Sequence, residues 1–124
     1  MSRVRVLVAD DHTIVRQGLV SLLNESGECE VVAEAADGVE ALEKAHAVRP
    51  EVAVLDIGMP GANGYEVARE IRRQQGPQVK LVALTGWGQE GDRRRAMEAG
   101  FDFHLTKPVD PGTLNDLLAD VAAK

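Results

Sequence analysis

Five side chains of this sequence could do chemistry together: Asp10, Asp11, Asp56, Thr85 and Lys107. Each lies at the end of a short apolar run. "VRVLVA" leads to Asp10 and Asp11, "VAVL" to Asp56, "VKLVAL" to Thr85, and "DFHL" to Thr106, Lys107 and Pro108. A core strand has no structural need for an acid at its end. Three carboxylates brought together repel one another, and at least one is pushed toward its protonated form. A divalent cation relieves that repulsion. The donors are all oxygen, with no His/Cys cluster of zinc spacing, so Mg²⁺ is the expected ion. The Lys107 ammonium adds a second positive charge. A cation, an ammonium and a Thr hydroxyl together suit the three oxygens of a phosphoryl group. Asp56 then has a task, as a carboxylate nucleophile that forms an aspartyl phosphate. Singly, each residue has a plainer role. Asp56 could form a turn, Asp10 or Asp11 could cap the first helix, Lys107 could be solvated, and Thr85 could open the turn at Gly86. Their joint placement carries the chemical reading.

Joint placement depends on the elements around them. Five β-rich runs are predicted as strands: Val4–Ala9, Glu30–Ala33, Val52–Leu55, Val79–Leu84 and Asp102–Leu105. Several are near-continuous Val, Leu and Ala, as in strands covered on both faces. Helical spacing fills the intervals: Val15, Leu19 and Leu22; Val39 and Leu42 with Ala45 and His46; Val67 and Ile71; Ala96 with Met97; and Leu114, Leu117, Leu118 and Val121. Thr13 and Thr113 are expected as helix caps, and Gly27 and Gly100 as helix stops. Gln75-Gly76-Pro77 closes the third helix. Five β-α repeats imply a parallel sheet with helices on both faces. Ligands of such sheets bind outside the carboxyl ends of the strands, where all five side chains fall.

The 124 residues are enough for one domain, residues 1–124, with a sizeable core. Hydrophobic residues at 44% argue against disorder. A net charge of -6 argues against direct nucleic-acid binding through bulk charge. The single cysteine, Cys29, cannot form an internal disulfide; a packed or edge thiol in a reducing cytoplasm is expected. The opening "MSRVRVLVADD" meets charge too early for a signal peptide. No apolar run approaches the roughly 18 residues of a membrane span, so no membrane insertion is expected. His12 and His46 lack partners at metal spacing and read as surface or loop histidines. Tyr65 is expected to pack near the start of the third helix. The basic run Arg93, Arg94 and Arg95 is placed on the fourth helix, as a solvated face or a partner contact.

The pieces "VLVADDH", "EAADGVEAL", "VLDIGMPGANGYEVAR", "LVALTG" and "GFDFHLTKPVD" resemble the receiver domain of two-component response regulators over essentially the whole chain. The acid pair, the D-x-x-M-P-x-x-x-G turn, the Thr after the fourth strand and the Lys-Pro pair occur in that family's order and spacing. The resemblance implies a flavodoxin-like, doubly wound five-stranded parallel sheet of order 2-1-3-4-5 flanked by five helices. It implies that Asp56 is the phosphoacceptor, supplied by a histidine kinase or a histidine phosphotransfer protein. Asp11, Asp56 and the backbone carbonyl of Gly58 would bind Mg²⁺, with Asp10 acting mainly through a metal-bound water. Lys107 and Thr85 would bind the phosphoryl group, Thr85 moving as part of a switch, and the Lys107–Pro108 bond would be cis. A downstream partner would meet the face formed by helix four, strand five and helix five.

The sequence departs from the family's commonest pattern at His104, where Tyr or Phe is usual and a switching aromatic ring is implied. Gly86 replaces the more usual Ala. Trp87 follows and is expected at the border of the site. The first half is similar to receivers that carry a helix-turn-helix output domain, the second to receivers of hybrid sensor kinases. A stand-alone receiver, an excised domain and an engineered chain all stay open. A haloacid-dehalogenase-like phosphatase shares the Asp, Thr and Lys set. It needs an acid two residues after its nucleophile, where Gly58 stands here. A phosphate-independent binding module would not need the set at all.

Overall fold

Successive side chains of a strand point to opposite faces of the sheet, so an apolar strand must be covered on both. The computed structural model, which describes residues 3–86 and 93–122, resolves the chain in this way. Strands β1 (Val4–Ala9), β2 (Cys29–Ala35), β3 (Val52–Asp56), β4 (Lys80–Thr85) and β5 (Phe103–Thr106) alternate with helices. The helices are α1 (Thr13–Glu25), α2 (Gly38–Val48), α3 (Gly64–Gln75), α4 (Arg93–Ala99) and α5 (Pro111–Ala122). The sheet is parallel throughout, in the expected order β2-β1-β3-β4-β5.

Two apolar layers follow from the alternation. Val6, Val8, Val52, Val54, Val82 and Leu84 pack with Leu19 and Leu23 of α1 and Leu114, Leu117 and Leu118 of α5. Their neighbours Leu7, Ala9, Ala53, Leu55, Leu81 and Ala83 pack with residues of α2, α3 and α4, among them Ala41, Ala45, Val67, Ile71 and Ala96. Cys29 is buried at the start of edge strand β2, and burial pushes its thiol up.

Two helical expectations need correction. Val39 is 56% exposed and Met97 75%, so neither belongs to a buried face. At α2 the small Ala41 and Ala45 take the inward positions instead, and on α4 Ala96 does so. On α1 the half-buried Leu22 packs against the core as expected, and Leu23 joins it there. The caps also differ. Thr13 and Thr113 already lie inside their helices. His12 holds the cap position of α1 without a side-chain bond, whereas Asp110 accepts the Thr113 N–H at 3.0 Å. Asp37 caps α2, and Asn63 with Glu66 forms a reciprocal capping box on α3. Gly27 and Gly100 do follow helix ends, with φ of 75° and 101°.

Candidate functional site

Asp10, Asp56 and Thr85 are the buried polar side chains among the described residues, and all three sit at carboxyl ends of neighbouring strands. Asp10 leaves β1 with its N–H donating to the Ala35 carbonyl at 3.0 Å, so the pairing with β2 runs one residue past the strand. Its Oδ1 accepts the His12 N–H at 2.8 Å, which turns the chain into α1. Asp56 is the last residue of β3, and its Oδ1 accepts the Gly58 N–H at 3.1 Å. Helix α3 begins directly against this strand end. A Cβ on Gly64 would lie 2.6 Å from the Asp56 carbonyl oxygen, closer than real Cβ contacts come. Only a glycine lets the two backbones meet.

Lys107 arrives from β5. Its N–H donates to the Thr85 carbonyl at 2.7 Å, and the following bond to Pro108 is cis. Its ammonium lies 3.0 Å from Asp10 Oδ2 and 3.3 Å from Asp56 Oδ2. One cation is thus shared between two buried carboxylates. Burial alone would lower the Lys107 ammonium, but Asp10 and Asp56 outweigh it and hold it above its ordinary range. Asp56 is pushed up: burial dominates, Asp10 and Asp11 add to it, and the Gly58 N–H and Lys107 do not compensate. Three carboxyl groups, Asp10, Asp11 and Asp56, share the pocket with this one lysine. Asp10 Oδ2 is buried, with the Lys107 ammonium as its ion-pair partner. An added cation would relieve the excess of acid over base. Donor atoms of Asp10, Asp11, His12 and Asp56 all lie within 4.8 Å of one another.

The structure thus gathers Asp10, Asp11, Asp56 and Lys107 at one place. Thr85 shares the rim, but its hydroxyl is engaged elsewhere, 2.8 Å from His104 Nε2 and 3.4 Å from the Leu105 carbonyl. His104 is half-buried and in direct contact with the Thr85 side chain. Trp87 lies outside the described residues.

Two participants escape the sequence reading. His12, read as a surface or loop histidine, places Nδ1 3.2 Å from Asp10 Oδ1 and 3.3 Å from Asp11 Oδ1. Its adjacency to the acid pair was the available signal. Arg16 donates to the Asp10 carbonyl at 2.7 Å and pairs with Glu34 at 3.2 Å, clamping β1's end to β2. Nothing in its spacing distinguishes it from a solvated helix residue.

Comparison with known proteins agrees with this fold. The response regulator receiver domain pattern matches residues 6–119. The response regulator protein VraR of Staphylococcus aureus is 34% identical over 113 residues, covering 91% of this chain and 54% of that protein. The chain therefore spans about half the length of the curated relatives it matches. The signal receiver domain of the putative response regulator NarL from Mycobacterium tuberculosis is 33% identical, with a TM-score of 0.90 and full coverage of both chains. The chemotaxis protein CheY4 of Vibrio cholerae is also 33% identical, with a TM-score of 0.85 over 97% of this chain and 99% of that one. Receiver domains are phosphotransfer-controlled signalling switches of two-component systems, and it is to the response regulator receiver family that this chain belongs.

Proposed function

We propose that the chain is a phosphoacceptor domain in which Asp56 receives a phosphoryl group from a phosphohistidine of a histidine kinase or phosphotransfer protein. The observation that carries this reading is the buried Asp56 carboxylate at the end of β3, with the Lys107 ammonium 3.3 Å away and two further acids beside it. An oxygen of Asp56 attacks phosphorus, the P–N bond to the donor imidazole breaks, and its electron pair stays on the imidazole nitrogen. Lys107 binds the phosphoryl oxygens and neutralises the acyl phosphate. Thr85 contributes its hydroxyl after leaving His104. Asp10, Asp11, Asp56 and the Gly58 carbonyl are the residues that would hold Mg²⁺, which supplies positive charge for the transferring group. The catalysis is directed at the domain's own phosphorylation and dephosphorylation, with no external substrate turned over.

Partners follow from the same reading. The donor docks at the rim, and a downstream partner meets the face of α4, β5 and α5. The net charge of -6 supports an output that is not direct nucleic-acid binding by this domain. Among the described residues no helix is long and apolar enough to cross a membrane. We place the domain in the cytoplasm because its single cysteine, the buried Cys29, has no partner for an internal disulfide and suits a reducing compartment.

The test is labelling by acetyl phosphate, read by intact mass spectrometry. One phosphoryl group per chain is expected on the parent with Mg²⁺ present and none in EDTA. Stoichiometric labelling of Asp56→Asn would remove Asp56 from the centre of the mechanism.

A further inference from the structure

We propose that Arg72 is a positioning residue for phosphoryl transfer: from the amino-terminal end of the sheet it fixes the register of edge strand β5 and so holds Lys107 at the rim. The proposal rests on the reading of Asp56 as the phosphoacceptor. β5 has 4 residues and pairs with β4 alone. Its register, from Val82 with Phe103 to Thr85 with Thr106, decides where Lys107 emerges. A slip of a single residue would turn every side chain of the strand to the other face. Packing holds one face more firmly than the other. Phe103 and Leu105 pack in the layer of Leu114, Leu117 and Leu118 of α5. The side toward α4 borders a cavity of about 310 Å³, lined in part by Ala96, Met97 and His104.

Hydrogen bonds hold the entry to the strand. The Asp102 N–H donates to the Leu81 carbonyl at 2.8 Å, and Asp102 Oδ2 accepts the Leu81 N–H at 2.9 Å. Arg72, in the last turn of α3, gathers this corner. Its Nη2 donates to Asp102 Oδ2 at 2.8 Å and to the Gly100 carbonyl at 2.6 Å. Its Nη1 donates to the Gly76 carbonyl at 2.9 Å and to the Val79 carbonyl at 2.8 Å. The two arms of one guanidinium therefore tie the end of α3 and the approach to β4 to the link between α4 and β5. A planar fork can span these oxygens, where a lysine ammonium would be a single point of donation. At the far end of β5 the Lys107 N–H donates to the Thr85 carbonyl at 2.7 Å, and the Lys107 ammonium reaches Asp10 and Asp56. A rise of about 3.3 Å per residue separates the two ends, so Arg72 acts on Lys107 through the strand and not by contact.

The experiment compares the full chain with its Arg72→Met and Asp102→Asn variants, all carrying ¹⁵N-lysine. Amide spectra are recorded, and acetyl-phosphate labelling is timed with Mg²⁺ under conditions where denaturant unfolding shows each protein fully folded. A residue that merely stabilised the fold would leave both readouts at the parent values there. In Arg72→Met the Lys107 amide should shift while Lys44 on α2 stays in place, and labelling should slow at least about tenfold. Asp102→Asn keeps an acceptor for the Leu81 N–H and weakens the pair with Arg72, so it should move both readouts the same way by less. Labelling of Arg72→Met at the parent rate overturns the proposal. So does a slower rate with the Lys107 amide unmoved, because the loss would then reach the site by another route. Should Arg72→Met not fold, Asp102→Asn is judged by the same two criteria. A parent that takes no phosphoryl group overturns the phosphoacceptor reading itself, whereas a labelled parent beside equally fast variants removes Arg72 alone.

Discussion

At the scale of single residues, the site stores electrostatic cost. Asp56 is held above its ordinary range, by burial first and by Asp10 and Asp11 next. A carboxyl whose pKa is raised on folding binds more protons in the folded than in the unfolded state across that window, so stability falls as pH rises through it. Above that window the native state therefore bears the cost of ionising a buried carboxyl at Asp56. Asp56→Asn keeps an acceptor for the Gly58 N–H and removes that charge. In EDTA at pH 7 the variant should be more stable than the parent by denaturant unfolding. The difference should close as pH falls toward about 4, where the unfolded carboxyl also protonates. Mg²⁺ should stabilise the parent and narrow the gap at pH 7. A variant less stable than the parent at pH 7 would mean that the Lys107 ammonium at 3.3 Å outweighs burial and like-charge repulsion.

At the scale of elements, geometry is set by how closely α3 approaches β3. Gly64→Ala would place a Cβ 2.6 Å from the Asp56 carbonyl and 2.7 Å from the Ile57 Cα, both backbone atoms that cannot rotate away. The helix start must move, at a cost of about 1–3 kcal/mol. Because the shift acts at Asp56, the rate of acetyl-phosphate labelling should fall as well. Asn63→Ala is the control: it breaks the capping box and costs about 1 kcal/mol. It lies one residue away and should leave labelling near the parent rate. Equal labelling loss in both variants would mean that helix stability, not backbone approach, governs the site. The contrast also shows what was legible at this scale. The strands were, because Val52–Leu55 and Val6–Ala9 are apolar on both faces and a covered parallel sheet accommodates them. The caps were read less well. Thr13 and Thr113 have suitable side chains, but Asp110 and the backbone at His12 occupy the cap positions. Cap position depends on where the first helical turn closes, which composition alone does not fix.

At the scale of the whole molecule, the proposed switch links the site to a surface, and the Thr85–His104 contact lies between them. The convergence of Asp10, Asp11, Asp56 and Lys107 was readable because each ends a strand and parallel strands end on one rim. The pairing of Thr85 with His104 was not, since it depends on rotamers across the adjacent strands β4 and β5. His104 Nε2 is 2.8 Å from the Thr85 hydroxyl, and the same residue lines a cavity of about 310 Å³ with Ala96, Met97, Phe101 and Phe103. Met97 stands 75% exposed beside it. In the proposed mechanism Thr85 turns to the phosphoryl group, so its bond to His104 must break first. A hydrogen bond of this kind is worth about 1 kcal/mol net, or roughly a fivefold bias toward the unphosphorylated arrangement. His104→Phe keeps a ring in the cavity and removes the bond. It should reach half-maximal response to beryllofluoride, a phosphoryl mimic, at a several-fold lower concentration than the parent. Amide shifts at Ala96, Met97 and Phe103 should report that response in a two-dimensional NMR titration with Mg²⁺ present. Identical midpoints for parent and variant would show that the bond does not restrain Thr85. A lower midpoint with silent Ala96 and Met97 amides would free Thr85 from His104 while removing His104 as the link to the α4 surface.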